Sequence, residues 1–243
     1  STIAVYPAGT QFVAYVEEQL GQRGVRSLLT SPPLSSEQLL EPAKALPGAA
    51  YDPPRRVELV LPAGAGCRTT GENTLGLFGL GLWLEERLGA ERDDARGWDG
   101  DRFVVRDCPG GRQLAWALVL DSEADARRLL PLLRAGVEGL SGYRGPAVVA
   151  RDGARVLVAR GLEADVVRAA LEGMRIDEVD SLSDWLGAHP EVLERARALR
   201  AAGSRRRLRR AARRRPSRPA RRAWPRPKTG AAACGRDPRD RSR

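Results

Sequence analysis

The sequence predicts an α+β fold, with N-terminal helices followed by a mainly antiparallel sheet. Three observations carry this. Apolar runs at 103–105 and 114–120 flank Asp107-Cys108-Pro109-Gly110-Gly111, and a helix start, Asp121-Ser122, follows directly. The same layout recurs at 147–173, where runs at 147–150 and 156–159 flank the turn Arg151-Asp152-Gly153 and lead into Leu162-Glu163-Ala164-Asp165. Before residue 41 the apolar residues recur at helical rather than strand spacing. Two strand-turn-strand-helix units build four antiparallel strands with helices on one face.

Taken in order, Phe12, Val13, Val16 and Leu20 share one face of a first helix, with Gly21 placed to cap its end. After Pro32-Pro33, Ser35 or Ser36 caps a short second helix that carries Glu37 and Gln38 in its first turn, and Pro42 limits its length. Residues 57–61 alternate as a strand does, and 64–71 reads as a loop. From Asn73, a plausible N-cap, the run 75–84 is apolar on every side. That is too short to span a bilayer, which takes ~20 residues, and it predicts a buried central helix. Gly76, Gly79 and Gly81 let neighbouring backbone approach it, although each costs roughly 1 kcal/mol against alanine. Ser122-Glu123-Ala124-Asp125 has the form of a capping box, and Pro131 is expected to kink or end the helix that follows. A last helix is expected from Pro190 through Val192, Leu193, Ala196 and Leu199. The domain reading is therefore a globular unit at 1–176, a helical extension at 177–202 and a disordered Arg/Pro/Ala-rich tail at 203–243.

Charge is segregated along the chain. Residues 203–243 hold 17 of the 41 basic residues and 2 of the 31 acidic ones, so the body carries 24 basic against 29 acidic groups. Only Lys44 and Lys228 are lysine, a bias that a GC-rich coding sequence explains in part. Arg205, Arg206, Arg207, Arg209, Arg210, Arg213, Arg214 and Arg215 admit three readings. They suit salt-sensitive contact with nucleic acid or another polyanion, contact with an anionic membrane surface, or no function at all, as the product of a shifted reading frame.

Exclusion narrows the chemistry. His189 is the only histidine, so the chain cannot supply a His-Glu-x-x-His zinc site, and its place before Pro190 suits a helix start. No phosphate-binding loop of the Gly-x-x-x-x-Gly-Lys type is present. Cys67, Cys108 and Cys234 form no paired motif, and Cys67 and Cys108 join only if the fold brings them together, which spacing does not decide. Asp121, Glu123 and Asp125 alternate as in a calcium loop but lack its glycine turn and distal Glu, so helix capping is the favoured role. Trp98, Asp99, Asp101 and Arg102 stand out as a loop able to present acids and an aromatic face to a substrate. Against that stands a Gly/Asp turn with Trp98 buried and Arg102 paired to an acid, which is favoured.

Five motifs occur in a telling order: Tyr6-Pro7-Ala8-Gly9 with Phe12-Val13; Pro32-Pro33-Leu34-Ser35-Ser36-Glu37-Gln38 with Pro42 and Lys44; Asn73-Thr74-Leu75-Gly76; Gly97-Trp98-Asp99-Gly100-Asp101-Arg102-Phe103; and Asp121-Ser122-Glu123-Ala124-Asp125-Ala126. Over residues 4–160 this resembles the C-terminal half of secreted or surface zinc-metallopeptidase-like proteins of bacteria and haloarchaea. The resemblance implies that the zinc-binding His-Glu-x-x-His helix belongs to an upstream half, that zinc enters only if that half supplies its ligands, and that this chain holds no cofactor of its own. Glu41, Ala45, Leu77 and Leu120 stand where that family has His, Tyr, Glu and Trp. The implied role is a non-catalytic lobe, structural or substrate-shaping, of an extracellular or surface protein. Its implied partner is the catalytic half.

Overall fold

A computed structural model of the chain describes residues 5–188 and residue 194. His189, the helix expected from Pro190, Cys234 and the arginines at 205–215 lie outside the described residues.

Helix α1 (Val5–Ser27) buries Phe12 and Val16, and breaks at Gly21, which adopts φ 64 and ψ −167. The chain re-enters a helix after that break instead of ending there as expected. In α2 (Ser36–Leu40) the Ser35 side chain accepts the Gln38 N–H, one of the two caps that the sequence allows, and a single 3-10 turn, Pro42–Ala45, follows. Strands β1 (Arg55–Glu58) and β2 (Arg68–Asn73) precede α3 (Gly76–Leu88). The long hairpin β3 (Trp98–Cys108) and β4 (Gly111–Leu120) leads into α4 (Glu123–Glu138). A second hairpin, β5 (Ala147–Asp152) and β6 (Arg155–Arg160), leads into α5 (Ala164–Glu172). The described chain then runs through β7 (Arg175–Glu178) to α6 (Leu182–Ala188).

The architecture is α+β. Five strands form an antiparallel sheet in the order β2-β3-β4-β6-β5, and β1 pairs with β7 as a separate antiparallel ribbon. Strand β4 is buried on both sides. Trp116, Leu118 and Leu120 enter one core with Leu80 and Leu84 of α3 and Leu129 and Leu133 of α4, while Ala115, Ala117 and Val119 enter another with Val57 of β1 and Val167 and Leu171 of α5. Helices expected on one face are therefore distributed over both. The unbroken apolar run 114–120 is the physical reason, since a strand apolar at both parities needs cover above and below.

That arrangement also limits the likeness of the two units. With β4 beside β6, a two-fold axis relating them would run perpendicular to the sheet and leave both helices on the same face. Helices α4 and α5 lie on opposite faces, so the units share a layout but not a symmetry.

Four other expectations change. Residues 68–71, read as loop, belong to β2, an exposed polar edge strand without the apolar alternation that marks a half-buried one. The strand expected at 57–61 begins and ends earlier, as Arg55–Glu58. Pro131 neither ends nor interrupts α4, because it sits on the solvent side where water can reach the carbonyl it leaves unpaired. The boundary at 176 falls inside β7, whose Ile176 pairs with Val57.

Cys67 and Cys108 are joined by a disulfide that ties the start of β2 to the end of β3. Closing a 41-residue separation stabilises the fold by roughly 4 kcal/mol, through restriction of the unfolded chain.

Candidate functional site

Glycines let the 97–101 stretch enter the sheet. Gly97 has φ +83, and the β3–β4 register slips between Trp98 and Gly100. A Cβ on Gly100 would lie 2.3 Å from the Arg55 carbonyl oxygen, so β1 can cross β3 at that point only over a glycine. Trp98, Asp99 and Asp101 are consequently buried residues of β3 and do not form a loop that presents acids to solvent. Trp98 is in the core and Arg102 pairs with Glu72 at 2.8 Å, both as favoured from the sequence, but the expected turn is a bulged strand.

Asp101 is 2% exposed and accepts four N–H groups. Oδ1 takes Gly76 N at 2.9 Å and Trp98 Nε1 at 3.0 Å; Oδ2 takes Leu75 N and Trp116 Nε1, both at 2.9 Å. Its main-chain oxygen accepts Thr74 Oγ1 at 2.9 Å. Burial raises this carboxyl above its ordinary value, and the four donors oppose that rise without cancelling it. Two donors on each oxygen saturate the lone pairs, which leaves no acceptor for a carboxylic proton, so the site is matched to the ionised form.

The same contacts start α3. Asp101 satisfies the first orphan N–H groups of the helix, and Ser36 Oγ accepts the Phe78 N–H at 3.2 Å. Asn73, expected as the cap, bonds only to the adjacent Thr74 N–H through its side chain. Gly76 adopts φ +71, and any Cβ there would meet Ser36 Oγ at 2.5 Å.

A second polar centre lies nearby. Lys44 Nζ contacts Glu37 Oε1 at 2.7 Å, Asp52 Oδ2 at 2.8 Å and Asp121 Oδ2 at 2.7 Å. Gln38, also buried, donates to Asp52 O at 2.9 Å and shapes the loop that carries Asp52. Asp99 pairs through Oδ2 with Arg55 Nε at 2.7 Å, and its buried Oδ1 has no partner. Burial raises Glu37 to about 8 against the opposing pull of Lys44, with the charges of Asp121 and Asp52 adding to the rise. Burial likewise raises Asp99 to about 7; Arg55 opposes this, and Asp52 and Asp121 reinforce it. For Lys44 burial favours the neutral form, but hydrogen bonds to Asp121, Asp52 and Glu37 outweigh it and hold the ammonium protonated.

Glu37, Asp52 and Asp121 are the one acidic trio among the described residues close enough to share a cation, and the Lys44 ammonium already bridges them. The disulfide removes Cys67 and Cys108 as ligands, and no histidine occurs among the described residues. The residues present do not fit a zinc site. Asp125 serves the helix start, as favoured: its N–H donates to the Ser122 N-cap of α4, and its carboxylate pairs with Arg128 at 3.2 Å. Sequence reasoning quoted Glu37, Lys44 and Asp121 only as members of separate motifs and did not bring them together; the other signal was the single lysine in an arginine-rich body.

A family model described as a domain of unknown function, DUF8575, matches residues 65–171. No curated protein and no solved structure matches the chain. The matched stretch covers β2 to α5, with the disulfide and Asp101 inside it and Glu37 and Lys44 outside. Among the described residues no helix is long and apolar enough to cross a membrane.

Two predictions follow from these centres. Replacing Asp101 by Asn sets an amide against four donors and should lower unfolding free energy by about 2–4 kcal/mol, whereas Arg102→Gln should cost under about 1 kcal/mol. Urea denaturation of both variants tests this, and an Asp101→Asn value within about 0.5 kcal/mol of the parent would contradict it. Glu37 and Asp99 have folded values above their unfolded ones of 4.5 and 3.8, so the native state holds extra protons in between. Their contribution to stability is therefore fullest at the acidic end and is lost as pH rises toward 7 to 8, at up to about 1.4 kcal/mol per pH unit for each group. Denaturation midpoints should fall between pH 5 and pH 8, and Glu37→Gln should flatten that slope; an unchanged slope in the variant would count against the assignment.

Proposed function

We propose that this chain is the non-catalytic C-terminal lobe of a zinc-metallopeptidase-like protein, with a structural or substrate-shaping role. What supports the reading is where the motifs meet. Ser36 reaches the first turn of α3, Lys44 reaches Asp121, and Asp101 holds both Leu75 and Trp98. Stretches separated by tens of residues thus interlock, and their polar groups are engaged with one another as a scaffold would require. The Cys67–Cys108 disulfide suits the oxidising compartment of a secreted or surface protein. The partner on this reading is an upstream half that carries the zinc ligands. On this reading the arginines of 203–243 add a contact with nucleic acid or another polyanion, one that should weaken with salt.

The purified chain should not hydrolyse casein with or without added zinc, and the coding sequence upstream of Ser1 should read into a His-Glu-x-x-His helix. Zinc-stimulated hydrolysis abolished by Glu37→Gln or Asp99→Asn would overturn the non-catalytic assignment. An upstream sequence without that helix would remove the peptidase kinship. Polyanion binding that survives truncation at Gly203 would overturn the role given to the tail.

A further inference from the structure

Residues 59–67 form a strap between β1 and β2 that belongs to no helix or strand. Leu59 and Leu61 anchor its near end against the second core, and residues 62–66 are exposed. The far end is shaped around the disulfide. The Cys67 N–H donates to Gly64 O at 3.1 Å, Gly66 adopts φ +72, and a Cβ on Gly66 would meet Pro109 Cγ of the β3–β4 turn at 3.0 Å.

Beneath the strap lies Arg106 of β3. It stands opposite Gln113, as Val104 stands opposite Ala115, so the guanidinium rises from the face that carries the second core. The residue is 8% exposed. Nη1 donates to Pro62 O at 2.8 Å and Nη2 to Gln113 Oε1 at 3.0 Å, while the buried Nε–H has no acceptor among the described residues. No carboxylate among the described residues pairs with this arginine; the adjacent Asp107 lies on the other face and pairs with Arg112 at 2.8 Å. A charge covered in this way loses hydration without gaining a counter-ion, and burial holds its pKa below the ordinary arginine value.

Two links hold the middle and far end of the strap. One is the covalent bond from Cys67 to Cys108, which follows Arg106 on the same strand; the other is the hydrogen bond from Arg106 to Pro62 O. Beyond these and the turn's own bond to Gly64 O, residues 60–66 make no hydrogen bond to the rest of the described chain. Breaking the covalent link leaves one hydrogen bond set against the hydration that Arg106 and its Nε–H recover on opening. Both cysteines are partly exposed, beside the exposed Gly66, Arg68 and Pro109, so a small thiol can reach them.

We propose that residues 62–66 are a redox-released cover over Arg106, closed while Cys67 and Cys108 are joined and lifted, with the guanidinium opened to solvent, once a dithiol reduces the bond. The dithiol supplies two electrons and two protons; Cys67 and Cys108 become thiols, and the reductant closes into a cyclic disulfide. Strands β3, β4 and β6 keep their ladders through the change, since none of those pairings runs through the strap. The proposal rests on the disulfide and the guanidinium and is independent of the metallopeptidase reading.

The test uses the full chain carrying Cys234→Ser, which leaves no third thiol to exchange, and a second form that adds Cys67→Ser and Cys108→Ser. Phenylglyoxal labels accessible guanidinium groups, and peptide mass mapping reads the label at Arg106. Labelling there should rise about ten-fold or more in the second form, and elastase should nick that form after Ala63 or Ala65 faster by a similar factor. Dithiothreitol should confer the same elastase sensitivity on the first form. The dispersed indole proton resonances of Trp98 and Trp116 should persist throughout. Unchanged labelling of Arg106, or unchanged nicking at 62–66, would overturn the proposal. Loss of the dispersed indole resonances when the bond is broken would overturn it too, since the disulfide would then hold the whole fold and not a cover.

Discussion

A single buried carboxylate organises the centre of this fold. Asp101 gathers the indole N–H groups of Trp98 and Trp116 with the N–H groups of Leu75 and Gly76, and so joins β3, β4 and the start of α3 at one point. Removing a carboxylate from water is costly unless its lone pairs are satisfied, and here four donors surround it in place of water. The geometry leaves little freedom nearby. Helix α3 must begin at Gly76, and Trp116 must stand where it also meets Trp83 edge to face at 5.2 Å.

The Lys44 centre adds a different kind of constraint. Its three carboxylates come from α2, from the loop before β1 and from the end of β4, so one ammonium draws three separate stretches of chain together. Three acids around one lysine leave an excess of negative charge, and burial places the extra proton on Glu37. A charged node so enclosed is weak evidence for stability, because desolvation offsets much of the attraction. It does make the N-terminal segment dependent on the sheet: without Asp121 the lysine keeps only its two local partners.

Much of the architecture was legible because it rests on short-range patterning. The apolar runs of β4 and β6, the Ser35 cap of α2 and the Ser122 cap of α4 each announce themselves within a few residues. What escaped depends on distant partners. Strand β2 has no apolar alternation and exists by pairing with β3; β7 needs β1; and the α3 cap comes from Asp101, 25 residues beyond Gly76. The 97–102 motif was noticed for its acids, yet Trp98 and Asp101 serve the interior, and Asp99 keeps company with Arg55 beneath the surface. Glu37 and Lys44 carry no local pattern that points to Asp121, and only tertiary structure brings the three together.

The acids of the motif stretches are thus engaged with one another across α2, β3 and the start of α3. The dependence of the core on an ionised Asp101 is most directly tested by nuclear magnetic resonance on the full chain, following the Asp101 carboxyl carbon and the indole protons of Trp98 and Trp116. At pH 7 the carboxyl should be ionised, with both indole protons protected from exchange with solvent. A protonated carboxyl, or an indole proton of either tryptophan exchanging as freely as in an unfolded chain, would contradict it.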